Sequence, residues 1–273
     1  MSDALFDISG QVAVITGGTG VLGAAMARGL AQRGVRVALL GRNQPKGEEL
    51  VRQITAVDGE ACFVSADVTV RDSCEQAAST IQARWGRVDI LVNAAGGNKP
   101  GATVTPDQSF FDLPASALAD LMNLNVLGTL LPSQIFGRTL ARQAAGSIIN
   151  ISSMAALRPL SRVVGYSASK AAIANFTSWL SVYMCQQFGP GIRVNAIAPG
   201  FFLTEQNRFL LTDEQTGQLT ARGRAIIDHT PMGRFGEADE LVGTLVWLVS
   251  PAARFVTGIV VPVDGGFSAC SGI

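Results

Sequence analysis

The sequence has few of the residues that build metal sites and disulfide frameworks. Its 273 residues include one histidine and four cysteines, and the cysteines are widely spaced, with no C-x-x-C pair. Structural zinc sites and disulfide-stapled folds both need clusters of these residues. The sequence therefore predicts neither, and we expect no bound metal.

An excess of charge of one sign and a long hydrophobic run are also missing. Lys+Arg and Asp+Glu both number 21, so there is no basic surplus to bind nucleic acid or an anionic membrane. No segment reaches the roughly 18 apolar residues of a membrane-spanning helix, and the first residues show no secretory signal. We expect a cytoplasmic protein that binds neither nucleic acid nor membranes, with small molecules or copies of itself as partners.

The sequence is rich in apolar residues, which make up 48% of it, and it contains 30 glycines. This composition and the length favour one large α/β domain over 1–273. Short β-branched runs predict strands at 11–16, 35–40, 61–66, 88–93, 147–152, 191–197 and 258–263. Longer stretches predict helices at 24–33, 46–56, 71–85, 113–145, 166–188 and 237–250. Pro132 should kink the longest of these helices.

The alternation of strands and helices predicts a Rossmann-type, doubly wound parallel sheet of about seven strands with helices on both faces. The segment 201–231 is different, because it has no clear period and many polar side chains. A segment of this length at the edge where strands end is typical of an active-site cover. We therefore expect it to cover the substrate.

A glycine-rich turn follows the first predicted strand. Gly17, Gly18, Gly20 and Gly23 lie before the first helix, and the last three form G-x-G-x-x-G. Such glycines let the backbone approach a pyrophosphate, and the helix N-terminus offers unpaired N–H groups. A glycine cluster can be an ordinary tight turn, but the strand–turn–helix context indicates dinucleotide binding.

The ends of the second and third strands predict how the adenosine half of a dinucleotide is held. A carboxylate after the second strand would favour NAD, and an arginine would favour NADP. The sequence has Gly41-Arg42-Asn43 there, which inclines the prediction to NADP, although Arg42 could equally stack on adenine or face solvent. Asp67, after the third strand, could accept a hydrogen bond from the adenine amine or cap the next helix.

Small residues follow the fourth strand, which ends at Asn93 and continues as Ala94-Ala95. They would leave room for a flat ligand in the crevice where parallel strands end. Asn125 lies inside the apolar helix predicted at 113–145, so its buried amide must find partners. We expect it to be either a structural bracket or part of a polar relay.

Ser153, Tyr166 and Lys170 form the pattern with the clearest chemistry. The chain has only two tyrosines and three lysines, yet Tyr166 and Lys170 are one helical turn apart and share a face. An ammonium favours the phenolate, and lowering a phenol pKa from ~10 to about 7 takes about 4 kcal/mol. One charge pair about 4 Å apart at an effective dielectric of ~20 supplies that much. Ser153 follows the fifth strand and so reaches the edge that holds the glycine turn. The alternative is an ordinary half-buried aromatic beside a solvated lysine.

Together these motifs make the whole chain resemble the short-chain dehydrogenase/reductase family. The matching motifs, in the family's order and approximate spacing, are the glycine turn at 17–23, Asn93-Ala94-Ala95-Gly96, Asn125, Ser153, Tyr166-x-x-x-Lys170, Pro199-Gly200 and Asp264-Gly265-Gly266. One departure is that Val21 occupies the position of the family's second glycine. The resemblance implies NAD or NADP as cofactor, hydride transfer between CH–OH and C=O groups, and a homodimer or homotetramer.

The resemblance also implies a role for each matching residue. Tyr166 would be the general acid or base, and Ser153 would hold the carbonyl oxygen. Lys170 would lower the Tyr166 pKa and bind the nicotinamide ribose, and Asn125 would position a water between Lys170 and solvent. The cofactor would contact Gly17, Thr19, Gly20, Val21, Leu22, Gly23, Arg42, Asp67, Val68, Asn93, Ala94, Ala95, Tyr166, Lys170, Pro199 and Thr204.

Within the family, the segment 93–100 and the cover are similar to those of sugar-acid reductases. A sugar acid needs hydrogen-bond partners and one cation for its carboxylate, and the cover is polar. The predicted substrate residues are Asn98, Lys99, Ser153, Arg208 and His229. Lys99, Arg208 and His229 could equally be surface charges or structural pairs. The nearest alternative function is a gluconate- or polyol-type dehydrogenase, and a more distant one is a non-catalytic dinucleotide-binding regulator.

Overall fold

The computed structural model describes residues 4–203, 211–213 and 216–270, which contain a seven-stranded parallel sheet. The strands are β1 (Val12–Thr16), β2 (Arg36–Gly41), β3 (Ala61–Ser65), β4 (Ile90–Asn93), β5 (Gly146–Ile151), β6 (Ile192–Pro199) and β7 (Val260–Val263). Their order across the sheet is β3-β2-β1-β4-β5-β6-β7. The strand order reverses after β1, so the sheet is doubly wound, and the predicted Rossmann-type fold is confirmed.

Helices cover both faces of this sheet. They are α1 (Val21–Ala31), α2 (Gln44–Thr55), α3 (Arg71–Trp85), α4 (Ala115–Met122), α5 (Gly128–Gln143), α6 (Val164–Phe188), α7 (Ala221–Asp228) and α8 (Glu240–Val249). Because side chains alternate along a strand, Ala13 and Ile15 pack with α1, α2 and α8, whereas Val12 and Val14 pack with α3, α5 and α6. Burial on both faces explains why the strands are nearly continuous apolar runs.

The register of the central strands brings their ends level. Thr16 pairs with Asn93, and Asn93 pairs with Asn150. The turns that follow β1, β4 and β5 therefore lie side by side at the carboxyl edge of the sheet. In open parallel sheets this edge, next to the reversal of strand order, is where ligands bind.

The helix predicted at 113–145 is present as one unbroken helical run over 115–143 that contains Pro132, but a π-turn that the sequence did not predict lies inside it. A π-turn over Asn123–Leu127 separates α4 from α5, and the Gly128 N–H donates to the Asn123 carbonyl oxygen, five residues earlier. Pro132 has no N–H to donate to the Gly128 carbonyl oxygen, and its ring crowds that carbonyl. The backbone therefore changes from α-helix to the π-turn in the residues just before Gly128. The π-turn carries Asn125, and such turns are frequent at functional sites.

Candidate active site

The turn between β1 and α1 is held in a shape that only glycine permits. Gly17 has a φ of +65°, and the Gly20 N–H donates to the Gly17 carbonyl oxygen at 2.9 Å. A Cβ on Gly23 would lie 2.4 Å from that same oxygen, so the turn has no room for a side chain. Gly20 is the N-cap of α1 and has no side chain to cap it. The first N–H groups of α1 are thus available to an anion, as a pyrophosphate requires.

A cleft of about 570 Å³ opens next to this turn. Its walls come from the turns after β1, β2, β3 and β4 and from the region of α4 and the π-turn. The lining residues are Gly17, Thr19, Gly20, Leu40, Gly41, Arg42, Ala66, Asp67, Val68, Thr69, Ala94, Ala95, Gly96, Lys99, Asp120, Asn123, Leu124 and Leu127. A Cβ on Gly17 would lie 2.8 Å from the Ala94 carbonyl oxygen, so these two turns pack backbone to backbone. The size of the cleft and its anion-binding helix end fit a dinucleotide.

Eight of the predicted cofactor residues line this cleft. They are Gly17, Thr19, Gly20, Arg42, Asp67, Val68, Ala94 and Ala95. Val21 and Leu22 form the first turn of α1, where Gly23 packs on Gly17. Asn93 is buried behind the lining, and its amide donates to Ser133 and Asn150, so it joins β4 to α5 and β5. Pro199 is the last residue of β6, and Thr204 lies outside the described residues.

Arg42 and Asp67 face each other where the turns after β2 and β3 line the cleft. Their side chains are 75% and 36% exposed and approach within 3.9 Å. The Asp67 carboxylate accepts hydrogen bonds from the Thr69 N–H (2.9 Å) and hydroxyl (2.6 Å), and these bonds lower the pKa of Asp67. The alternative that Asp67 caps the next helix is wrong, because the N-cap of α3 is Val70 and the carboxylate is engaged by Thr69.

Ser153, Tyr166 and Lys170 come together at the carboxyl edge. Ser153 follows β5 by two residues and is buried, and its Oγ accepts a hydrogen bond from the Ala155 N–H at 3.1 Å. Tyr166 lies in the first turn of α6, and Lys170 follows one turn later. The Lys170 ammonium donates to the Ile151 carbonyl oxygen at 2.8 Å and lies 5.6 Å from the centre of the Tyr166 ring. The predicted shared face of the tyrosine and the lysine is present.

The electrostatics of this group differ from the sequence-based expectation. Burial raises the pKa of Tyr166, and a hydrogen bond with the Ser153 side chain lowers it by less. Burial also lowers the pKa of Lys170 to about 8. The expectation that Lys170 lowers the Tyr166 pKa was wrong. The reason is that Lys170 is buried and Tyr166 is half-buried, and removal from water penalises the charged form of each group.

Asn125 connects the π-turn to the loop after β4. It is fully buried, its Oδ1 accepts from the Gly97 N–H (3.0 Å), and its Nδ2 donates to the Gly97 and Leu121 carbonyl oxygens. A Cβ on Gly96 would lie 2.6 Å from Asn125 Oδ1 and 3.4 Å from Lys170 Nζ. Asn125 is therefore a bracket that presses the Gly96 backbone against Lys170. Because Gly96 also lines the cleft, the bracket places Lys170 directly behind the wall of the cleft.

Among the described residues that were predicted to bind substrate, no hydrogen bond or ion pair joins one to another. The Asn98 amide donates to the Thr103 hydroxyl at 2.8 Å. Lys99 lines the dinucleotide cleft and lies 3.5 Å from the Asp120 carboxylate, which partly neutralises it. His229 is the C-cap that directly follows α7, and its Nδ1 lies 2.7 Å from the Ala225 carbonyl oxygen. Arg208 lies outside the described residues.

Thr16 is a site residue that sequence reasoning missed. Its buried hydroxyl accepts hydrogen bonds from the Ala94 (3.1 Å) and Ala95 (3.2 Å) N–H groups, and so fixes the loop after β4 against β1. The sequence signal that could have identified Thr16 is its position, since it is the hydroxyl residue directly before the glycine turn.

Among the described residues, no helix is long and apolar enough to cross a membrane, and no three His, Cys, Asp or Glu side chains are grouped to hold a metal ion.

Comparison with known proteins agrees with this geometry. Residues 11–215 match the family model for short chain dehydrogenases. The chain is 48% identical over 276 residues to UxuB, an uncharacterized oxidoreductase of Bacillus subtilis (strain 168), with 98% of each protein covered.

Two solved structures share the fold along nearly the whole chain. One is a candidate D-mannonate oxidoreductase from Haemophilus influenza with bound NAD, at 42% identity and a TM-score of 0.91, with 98% of each chain covered. The other is a gluconate 5-dehydrogenase from Burkholderia cenocepacia J2315 in complex with NADP and tartrate, at 32% identity and a TM-score of 0.86, again with 98% of each chain covered. Since the family match runs from β1 to beyond β6, this chain belongs to the short chain dehydrogenase family and is an NAD(P)-dependent oxidoreductase acting on CH–OH or C=O groups.

Proposed function

We propose that this protein reduces the keto group of a sugar acid, D-fructuronate to D-mannonate, and catalyses the reverse oxidation. The observation that carries the proposal is the Ser153–Tyr166–Lys170 group, in which Ser153 and Lys170 are buried and Tyr166 is half-buried. This group lies against the wall of the dinucleotide cleft through Gly96. A carbonyl held there would meet a proton donor on one side and a hydride donor on the other.

The chain's own residues supply the proton and the geometry. Tyr166 gives its hydroxyl proton to the substrate oxygen in reduction and takes it back in oxidation. Ser153 donates a hydrogen bond to the same oxygen and holds it in place. Because burial raises the Tyr166 pKa, the phenol stays protonated and ready to act as an acid at neutral pH. The nicotinamide, when bound, supplies or accepts the hydride.

Lys170 and Asn125 support Tyr166 in this proposal. A Lys170 pKa of about 8 leaves the ammonium only moderately favoured at neutral pH, so it can pass a proton toward Tyr166 and recover one from solvent. Its bond to the Ile151 carbonyl oxygen keeps the amine beside the ring. The Asn125 bracket keeps the Gly96–Gly97 backbone against the amine, which sets the distance between Lys170 and the cleft.

The substrate class rests on the polar cover and on the relatives. The segment 201–231 is rich in charged and amide side chains, which suit the hydroxyls of a sugar acid better than a steroid or an acyl chain. One structural relative is a candidate D-mannonate oxidoreductase. The gluconate 5-dehydrogenase relative supports the nearest alternative, oxidation of a gluconate-type acid or a polyol. A non-catalytic regulator is the distant alternative, and the intact Ser153–Tyr166–Lys170 group argues against it.

The substrate is tested with a panel of ketones. Cofactor absorbance is followed with D-fructuronate, other keto sugar acids, uncharged ketoses and hydrophobic ketones. Turnover of D-fructuronate with the highest kcat/KM is the expected result. Turnover of hydrophobic ketones alone would refute the sugar-acid proposal, and preference for gluconate-type acids would favour the alternative.

For the cofactor, we propose that the protein prefers NADP. Arg42 lies at the adenosine end of the cleft, and the segment Gly41-Arg42-Asn43 has no carboxylate to repel a 2′-phosphate. Asp67 already lies 3.9 Å from Arg42, and a 2′-phosphate would compete with it for the guanidinium. The relatives with bound cofactor include one NAD and one NADP complex, so the family admits both.

For assembly, we propose a homodimer or homotetramer that pairs through α6. Its outer face carries an aromatic row in which Phe176, Trp179 and Tyr183 stack, with ring centres 6.4 and 5.2 Å apart, and Tyr183 meets Phe188 edge to face. Trp179 is 58% and Val182 54% exposed. An exposed apolar row of this kind marks a protein interface.

A further inference from the structure

A row of buried polar side chains crosses the sheet at the level where its strands end. Thr16, Asn93 and Asn150 pair across the neighbouring strands β1, β4 and β5, and each is at most 1% exposed. Two residues earlier, on the same strands and the same face of the sheet, the corresponding row is apolar and consists of Val14, Leu91 and Ile148. The polar row is therefore confined to the end of the core that adjoins the active site.

Hydrogen bonds connect this row to two of the helices that cover the sheet. Asn93 Nδ2 donates to the Ser133 hydroxyl on α5 at 2.9 Å and to Asn150 Oδ1 at 2.8 Å. Asn150 Nδ2 donates in turn to the Thr177 hydroxyl on α6 at 2.9 Å. Ser133 and Thr177 are buried as well. Through these bonds β4, β5, α5 and α6 form one hydrogen-bonded unit.

The same network reaches the π-turn and the wall of the cleft. The Ser133 hydroxyl donates to the Thr129 carbonyl oxygen, and the Thr129 hydroxyl donates to the Asn125 carbonyl oxygen, each at 2.8 Å. At β1 the row ends in Thr16, which holds the loop after β4 through its hydroxyl. The network therefore joins α6 to the Asn125 bracket and to the loop that lines the dinucleotide cleft.

Helix α6 is anchored to β5 at two points along its length. At the first point, Lys170 Nζ donates to the Ile151 carbonyl oxygen at 2.8 Å, and the Ser152 hydroxyl donates to the Lys170 carbonyl oxygen at 3.0 Å. The second point is the bond between Asn150 and Thr177, two helical turns further along α6. One anchor would let the helix pivot, whereas two anchors fix both its height and its tilt against the sheet.

Stability alone does not account for these polar groups. A buried amide or hydroxyl loses its bonds to water and regains a similar amount from its protein partner. A bonded pair and a well-packed apolar pair of the same shape are therefore close in free energy. A hydrogen bond differs from apolar packing because it has a preferred direction and length. Such bonds are suited to hold two elements in one fixed relation.

We infer that Asn150 and Thr177 are positioning residues, which hold α6 at the tilt that brings the Tyr166 hydroxyl to the substrate. Tyr166 lies one turn before Lys170 and Thr177 lies two turns after it, so a helix released at Thr177 pivots about Lys170. Because one turn spans about 5 Å, a tilt of about 5° moves the backbone of Tyr166 by roughly 0.5 Å. Reacting groups must be placed to about this tolerance. The inference rests on the proposed role of Tyr166.

The test removes the Thr177 hydroxyl and keeps the shape of the side chain. Thr177→Val does this, Thr177→Ser retains the hydroxyl, and Ser181→Ala is the matched control. Ser181 is buried one turn further along α6, and its hydroxyl donates to the Ser178 carbonyl oxygen within the same helix. Thermal melts identify a temperature at which all four proteins are folded, and the assays are run there.

Single-turnover oxidation of NAD(P)H is followed with the ketone that wild type turns over fastest in the substrate panel. We expect Thr177→Val to slow hydride transfer on the order of 10-fold, with cofactor affinity and KM for the ketone within about twofold of wild type. Thr177→Ser should regain most of the rate, and Ser181→Ala should match wild type. A wild-type rate in Thr177→Val, or an equal loss of rate in Ser181→Ala, would overturn the inference.

Amide hydrogen exchange gives a readout that does not depend on activity. In the cofactor-loaded protein, the backbone N–H groups of residues 164–172 should exchange at least about fivefold faster in Thr177→Val than in wild type. They should exchange at the wild-type rate in Thr177→Ser and Ser181→Ala. Unchanged exchange in Thr177→Val would overturn the inference. Faster exchange in Thr177→Val, together with a near-normal rate of turnover in Tyr166→Phe, would support the anchoring of α6 by Thr177 and refute the proposed role of Tyr166.

Discussion

Lys170 is buried, and among the described residues its ammonium has a carbonyl oxygen and an aromatic ring as partners rather than a carboxylate. Its pKa falls from the ordinary 10.5 to about 8, so the folded protein binds this proton less tightly than the unfolded chain does. Below about pH 8 the lysine is protonated in both the folded and the unfolded state, and the folded state bears the full free-energy cost of burying the ammonium. That cost disappears as the pH rises from about 8 to about 10.5.

Lys170→Met should therefore lose activity and gain stability. The variant lacks the buried charge, so its free energy of unfolding relative to wild type should be highest below about pH 8. We expect this difference to shrink by about 2 kcal/mol between about pH 7 and about pH 9.5, in denaturant titrations at each pH. Exposed Lys46→Met is the control and should show no such trend. Parallel pH profiles for Lys170→Met and wild type would show that the lysine is not desolvated as the structure indicates.

Arg42 offers a residue-scale test of cofactor choice. Arg42→Ala should raise KM for NADP on the order of 10-fold while changing KM for NAD by less than about twofold, because only NADP carries the 2′-phosphate. Initial rates with both cofactors give the comparison. Equal effects on NAD and NADP would mean that Arg42 stacks on adenine or serves another structural purpose.

The spacing of Tyr166 and Lys170 was enough to predict that they share a helix face, because helix geometry is local. The direction of their pKa shifts was not predictable, since it depends on burial by segments distant in sequence.

At the scale of elements, the glycine turn depends on backbone contact. In Gly23→Ala the added Cβ would lie 2.4 Å from the Gly17 carbonyl oxygen, so the turn must open and the first N–H groups of α1 must move. We expect cofactor affinity to fall at least about 10-fold, because those N–H groups bind the pyrophosphate. Fluorescence titration with NADPH measures this.

The matched control is Gly243→Ala, at an exposed glycine of α8 where an added Cβ would meet open space. It should leave cofactor affinity unchanged and stabilise the helix by up to ~1 kcal/mol. Wild-type affinity in Gly23→Ala would mean that the turn tolerates widening and that the pyrophosphate is held elsewhere.

The strands were predictable because a parallel sheet is buried on both faces, so its strands appear in the sequence as continuous apolar runs. The π-turn between α4 and α5 was not predictable. Both sides of the π-turn have helical composition, and the choice of a five-residue turn depends on how the backbone accommodates Pro132 and on where the Asn125 amide finds partners. Such competition among hydrogen bonds leaves no periodic signal.

At the scale of the whole molecule, the aromatic row on α6 predicts assembly. Trp179→Glu places a charge in the centre of that row and should convert dimers or tetramers to smaller species, because burying an unpaired carboxylate is unfavourable. Light scattering coupled to size exclusion measures the mass. Phe111→Glu, at a position of a short 3₁₀-helix that is 92% exposed, is the control and should keep the wild-type mass. A wild-type protein that is monomeric at micromolar concentration would refute the proposal.

The account as a whole depends on Tyr166 being the proton donor beside the dinucleotide cleft. The most direct measurement is the single-turnover rate of NAD(P)H oxidation by D-fructuronate in Tyr166→Phe, together with the affinity of the variant for the cofactor. The account predicts a loss of on the order of 10³-fold or more in rate with cofactor affinity within about twofold of wild type. A near-normal rate in Tyr166→Phe would contradict it.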